Sequence, residues 1–281
     1  MILSTLDKSR KGGAYEQIPS LVLGQRWTPQ LNSRNMMKVV LCVWIEPYIE
    51  TDLSFCVWPV HTPTTSKEVL TLSASTSPLP YTGNKSCIVN TILSVMPKHT
   101  VYIDPCMGSA EVFFRKPRAE KEILNDYNGD LVNLFRVIQN NEKLAYLLGR
   151  LYLSINGELA FKQNKDRLKG VPNILDDVIE TSQIFYDASW EDIQNAAAFL
   201  ENQVYSFSST GQTFGIARRD MSQRLPRLMS AYNRIRDAII LHRDYKDVIT
   251  YAACPGSFIL LDPPYKGTED MYSKANFDIE Q

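Results

Sequence analysis

The stretch Phe258-Ile259-Leu260-Leu261-Asp262-Pro263-Pro264-Tyr265 decides the reading of this chain. Its first four residues form an apolar run without alternation, which suits a strand buried on both faces of a parallel sheet. A carboxylate, two prolines and an aromatic follow at the strand's carboxyl end, where open α/β sheets bind ligands. The fold class implied is α/β. The same residues also suit a plain strand end followed by a Pro-Pro turn.

Read as chemistry, Asp262-Pro263-Pro264-Tyr265 suits the methylation of an exocyclic amine. The amino nitrogen of adenine is a poor nucleophile because its lone pair is delocalised into the ring. Asp262 and the backbone carbonyl of Pro263 can each accept one of its N–H bonds, drawing the nitrogen toward tetrahedral geometry. The prolines fix φ and restrict the residue before each of them, so these acceptors need little reorganisation. Tyr265 offers a face for stacking on a base swung out of a duplex. The matching electrophile is the sulfonium methyl of S-adenosyl-L-methionine, attacked in line, with positioning supplying much of the acceleration.

Composition sets the bounds. A chain of 281 residues accommodates one α/β domain with a smaller inserted or appended part. Its net charge of −1 means that nucleic-acid affinity must come from a local patch. The five cysteines are scattered, without a CxxC pair or a histidine at ligand spacing, which argues for a reducing compartment and against structural zinc. The apolar stretch at 39–45 is too short to span a bilayer, and no signal-peptide pattern opens the chain. The expectation is a soluble, cytoplasmic protein with no membrane partner.

Residues 1–78 differ from the remainder: they hold three of the four tryptophans and end in a Thr/Ser/Pro-rich stretch. They read as a poorly ordered or unrelated extension, with only 37–45 strand-like. From 79 onward strand, turn and helix alternate. Helices are expected at 88–95 and 131–138, the second capped by Asn128 or Asp130, and strands at 100–103 and 122–124. Further helical segments are expected at 142–154, 176–180 and 190–200. After a Ser/Gly loop at 206–215, one helix is expected over 221–241, with Pro226 in its first turn.

Three segments accompany the tetrapeptide: Tyr81-Thr82-Gly83-Asn84-Lys85-Ser86, the strand-to-helix turn Asp104-Pro105-Cys106-Met107-Gly108-Ser109-Ala110, and Asn125-Asp126-Tyr127-Asn128-Gly129-Asp130-Leu131. Asp126 stands at the end of the second strand, at the spacing of a ribose-hydroxyl acceptor. In this order the chain resembles the Dam-like DNA adenine N6-methyltransferases, especially phage- and prophage-type members, from residue 79 to 281.

The resemblance implies a Rossmann-like S-adenosylmethionine-dependent methyltransferase sheet with an inserted helical target-recognition region. It divides the chain into a cofactor-binding part (79–140), a helical region (141–242) and a catalytic part (243–281). It implies that Tyr81 packs on S-adenosyl-L-methionine, that Lys85 lies near its methionine part, and that Asp104 and Gly108 form the cofactor turn. It further implies that Asp126 accepts from the ribose, that Asp244 lies near the cofactor adenine, and that Asp262, Pro263, Pro264 and Tyr265 handle the target amine. Double-stranded DNA would be the substrate, and a cognate restriction endonuclease a functional companion.

The chain departs from the family pattern at Cys106, where an aromatic is usual, and at Ala110, where glycine is frequent. It also ends at Gln281, before the further strands that members carry, so C-terminal strands are expected to be missing and the edge beside the tetrapeptide strand to be bare or covered by something else. Arg218, Arg219, Arg224, Arg227, Arg234 and Arg236 make the most basic stretch, readable as a DNA-phosphate surface or as a solvated helix face. Two other functional readings remain: an amino-methyltransferase acting on cytosine N4, and a non-catalytic remnant that binds cofactor or DNA.

Overall fold

The computed structural model describes residues 76–176, 190–217 and 219–263, together with the backbone of 41–44. The tetrapeptide's Pro264 and Tyr265, Arg218, the expected helical segment beyond Asp176 and most of 1–78 lie outside the described residues.

Four mutually parallel strands form the sheet: β2 (Val101–Asp104), β3 (Lys121–Asn125), β4 (Ile239–Leu241) and β5 (Ser257–Leu261). A fifth, β1 (Leu41–Trp44), pairs antiparallel with β5, and the order across the sheet is β1-β5-β2-β3-β4. The chain runs outward from β2 to β3 and β4, then returns to the other side of β2 for β5. The carboxyl ends of β2 and β5 therefore flank a topological switch point, where a doubly wound sheet opens a crevice.

Both sheet faces are apolar, as the unbroken hydrophobic run of β5 requires. Tyr102, Leu124, Ile240, Phe258 and Leu260 face the main core, and Ile103, Ile123, Leu241 and Ile259 face a smaller one. Helix α8 (Tyr245–Ala252) covers the smaller core through Val248 and Ala252. The main core is covered by α1 (Val89–Val95), α2 (Glu111–Arg115), α3 (Gly129–Gln139) and α7 (Leu225–Ile235), and it continues into a layer made by α4 (Asn141–Tyr152), α5 (Glu158–Lys169) and α6 (Trp190–Tyr205). Asn128 caps α3 by accepting from the Asp130 amide at 3.1 Å. Pro226 sits in the first turn of α7, where its missing N–H costs nothing.

The structure departs from the sequence expectations at four places. Residues 239–241, expected inside one long helix, form β4, because α7 ends at Ile235 with Arg236 as its cap and the β-branched pair Ile239-Ile240 pairs with β3. A sheet strand thus lies within the stretch assigned to the helical region. Helix α5 was not expected: only Phe161 and Leu168 of its twelve residues reach the main core, too sparse an apolar face to read. Two pieces of the 1–78 extension belong to the domain. Besides β1, Ser77 is fastened to the turn after β2, its hydroxyl donating to the Ser109 carbonyl at 2.6 Å and its amide to Glu111 at 3.2 Å. Finally, Arg234 is no surface group.

Arg234 turns inward and makes a two-pronged ion pair with Glu122 at 2.5 and 2.8 Å, stacked 3.7 Å above the Phe113 ring. The Lys116 ammonium meets the same carboxylate at 2.5 Å, and burial pushes its pKa down to about 8. Removing one member of such a buried cluster strands the others without a counter-charge. Glu122→Ala is therefore expected to lower unfolding free energy by about 3–5 kcal/mol, read from the urea midpoint. Arg236→Ala, at an exposed pair with Asp237, is expected to change it by less than about 1 kcal/mol.

Candidate active site

The four parallel strands each deliver a carboxylate to the same edge. Asp104 is the last residue of β2, Asp126 follows β3, Asp244 follows β4 and Asp262 follows β5. All four line one pocket, together with Tyr81, Lys85 and Gly108. Every residue that the sequence nominated for the cofactor is thus brought to a single cavity. Of the tetrapeptide, Asp262 lines it and Pro263 is described beside it; Pro264 and Tyr265 lie outside the described residues.

Local geometry explains the residue types. The Lys85 ammonium is bonded to the Asp262 carboxylate and donates to the Gly83 carbonyl at 2.8 Å. Gly108 has φ +49, a left-handed conformation that glycine adopts without strain, and its amide donates to Asp126 at 2.9 Å. A Cβ there would touch the Tyr81 ring at 3.7 Å, so the ring and the bare Cα form facing walls. Asp126 also accepts from the Asn128 amide at 2.9 Å. Asp244 caps α8 by accepting from the Lys246 amide at 2.9 Å.

The carboxylates do not titrate alike. Burial pushes Asp104 up to about 8; the Tyr102 hydroxyl, 3.0 Å away, pulls it back, while the charges of Asp262 and Asp126 add to the rise. Burial also lifts Asp126, to about 6, against three backbone N–H donors. Cys106, the departure from the family's aromatic, is enclosed here and pushed up first by burial and then by the surrounding carboxylates. Near neutrality Asp104 therefore holds its proton.

The sequence did not single out Asn125 as a brace. Its side chain donates to the Pro105 carbonyl at 2.8 Å and to the Arg243 carbonyl at 2.9 Å, and it accepts from the Arg243 amide at 2.9 Å. It thereby locks the turn after β2 to the segment after β4, and only the three-dimensional closeness of β3 and β4 discloses this. Thr82, at the pocket rim, donates to the Ser209 carbonyl at 3.2 Å and so joins the cavity to the Ser/Gly loop. Arg219, Arg224 and Arg227 are brought together elsewhere, in a separate depression.

An α/β sheet whose switch-point crevice is ringed by acidic strand ends, with Asp-Pro at the tip of β5, is the arrangement that the family resemblance implied. The chain belongs to the family of D12 class N6 adenine-specific DNA methyltransferases, whose profile matches residues 81–281. It is also similar to the Type II methyltransferase M1.LlaDCHI of Lactococcus lactis subsp. cremoris, at 23% identity over 192 residues, 66% of this chain and 64% of that protein. The chain thus spans less than two thirds of that relative's length. Among the described residues no helix is long and apolar enough to cross a membrane.

The raised pKa of Asp104 has a signed consequence for stability. A carboxyl that binds its proton more tightly when folded stabilises the fold fully below its unfolded pKa, and that contribution is lost as pH rises toward the folded value. Stability is expected to fall between about pH 4 and pH 8. Asp104→Asn, which keeps an acceptor for Tyr102, should flatten this decline in melting temperature and gain on the parent most at pH 8.

Proposed function

We propose that this domain transfers a methyl group from S-adenosyl-L-methionine to the N6 amine of adenine in double-stranded DNA. The observation that carries the reading is the meeting of the Asp262 carboxylate with Tyr81, Gly108 and Asp126 in one pocket. An amine held between the Asp262 carboxylate and the Pro263 carbonyl gives both of its N–H hydrogens to oxygen acceptors, which frees its lone pair. Both acceptors follow directly from a strand paired on both sides, so little motion is needed to present them. Lys85 holds the Asp262 carboxylate in place through its ion pair.

The donor set of the pocket fits the methyl donor. Carboxylates around the Tyr81 face suit hydroxyl groups and a positively charged sulfur, and the bare Cα of Gly108 leaves room beside the ring. Asp126 accepts from the backbone amides of Gly108, Asn128 and Tyr127, fewer donors than a carboxylate can take, so it remains able to receive a hydroxyl. When bound, S-adenosyl-L-methionine supplies the electrophilic methyl carbon. Membership of the D12 class supports adenine N6 as the acceptor. The similarity to a Type II methyltransferase supports a setting beside a restriction endonuclease.

The test is transfer of labelled methyl from S-adenosyl-L-methionine to unmethylated duplex DNA, with digestion to nucleosides. Label is expected on N6-methyladenine. Asp262→Ala is expected to lower the rate by about 10²–10³, with the fold retained by circular dichroism. Label on cytosine, or an undiminished rate in the variant, overturns the reading.

A further inference from the structure

The basic stretch after the Ser/Gly loop is divided in two by the fold. Of its later arginines, Arg234 is spent within the protein on Glu122, and Arg236 pairs at the surface with Asp237. Its earlier ones, Arg219, Arg224 and Arg227, line an open depression of about 450 Å³ with Gln223 and Asp220. Among the described residues no carboxylate forms an ion pair with any of the three. Asp220 brings one negative charge, and its Oδ1 accepts from the Ser222 amide and hydroxyl at 2.9 and 2.7 Å. The first turn of α7, which begins here, holds no acidic residue.

Among the described residues, three guanidinium groups and one carboxylate line the depression. Arg224 is half-buried, and burial followed by repulsion from Arg227 and Arg219 holds its pKa below the usual arginine value. Like charges are gathered here at a cost that a bound anion would relieve. The depression also has a fixed relation to the active site. The Arg219 guanidinium donates to the Val204 carbonyl near the end of α6, α6 leads into the loop at 206–215, and the Ser209 carbonyl of that loop accepts from Thr82 at the pocket rim.

The geometry points to Arg219, Arg224 and Arg227 as a cradle for one backbone phosphate of the DNA duplex, fixing the duplex in register with the pocket that receives the adenine. This inference rests on the DNA reading above. The cradle reads no base: guanidinium forks match phosphate oxygens and carry no sequence information. Phosphate anchoring of this kind makes binding depend on salt through counterion release.

Fluorescence anisotropy with a short duplex, at several salt concentrations, tests it on the full chain. The double variant Arg224→Gln/Arg227→Gln is expected to bind about tenfold more weakly at 0.1 M salt, equally on all sequences, with a log–log salt slope shallower by about 1. Arg224→Lys/Arg227→Lys, which keeps the charges but loses the forks, should recover the slope and only part of the affinity. Arg236→Gln should leave both unchanged, and calorimetry with S-adenosyl-L-methionine should give the same affinity for all variants. An unchanged slope in the Gln variant, loss confined to one sequence, or absence of duplex binding by the parent protein overturns the cradle. A parent that binds DNA with the expected slope change yet methylates none leaves the cradle standing and removes the catalytic reading.

Discussion

Like charge is crowded into one small volume, and much of the site's architecture answers that constraint. Parallel strands must end on the same edge of a sheet, and here each of four ends delivers an aspartate. In a medium of reduced dielectric such carboxylates repel strongly. The structure relieves the repulsion differently at each position. Asp104 keeps a proton, Asp126 receives backbone N–H donors, Asp244 is spent on the start of α8, and Asp262 is matched by the Lys85 ammonium. The acid left to meet an amine is thus the one whose counter-charge sits on a flexible side chain.

The pocket is assembled from loops, and each loop is tied by a side chain rather than by sheet bonds. Asn125 joins the turns after β2 and β4. Asn173 does the same for the helical region: its side chain accepts from the Gly129 amide at 2.8 Å, donates to the Tyr127 carbonyl at 2.9 Å and lies 3.0 Å from the His242 ring nitrogen. Asp176 accepts from Arg136 at 2.6 Å and from the His242 amide at 3.2 Å. The segment leaving α5 is therefore strapped across the ends of β3 and β4. On the far side, Ser208 and Ser209 adopt φ of 52 and 56 in the loop that touches Thr82. Two consecutive left-handed serines cost about 1–2 kcal/mol each. The loop is held by the Phe207 amide donating to the Thr213 carbonyl and by the Gly211 amide donating to the Ser206 hydroxyl oxygen, both at 2.8 Å.

What was legible in the sequence was whatever depends on local pattern. Short apolar runs ending in Asp or Asn marked β2, β3 and β5, and a polar cap before an amphipathic stretch marked α3. Convergence of Tyr81, Gly108, Asp126 and Asp262 was implied by the family resemblance; a parallel sheet, which puts its carboxyl ends together, accounts for Asp126 and Asp262 but not for Tyr81, which precedes α1. What could not be read depends on tertiary partners. The three residues of β4 are too few to show a period, and they become a strand only because β3 offers an edge. The inward turn of Arg234 depends on Glu122, more than a hundred residues away, and its neighbours Arg224 and Arg227 look the same on paper. Asn125 reads as one more polar residue in a turn until β4 is laid beside it.

The same reasoning applies to β1, the least expected part of the sheet. The strand that carries Asp262 would have one open edge if only β2 flanked it. Residues 41–44 pair with it instead, with Leu41 opposite Leu261 and Trp44 opposite Phe258. An open edge exposes a row of unpaired N–H and C=O groups and lets a strand end drift. Pairing with Leu41 holds the backbone of Leu261, which Asp262 follows, while β2 pairs with β5 as far as Ile259. The contact joins segments more than two hundred residues apart, yet loop closure costs grow only with the logarithm of length. A stretch that reads as foreign to the domain thus contributes to the rigidity of its acidic tip, by backbone hydrogen bonds that leave little mark on side-chain choice.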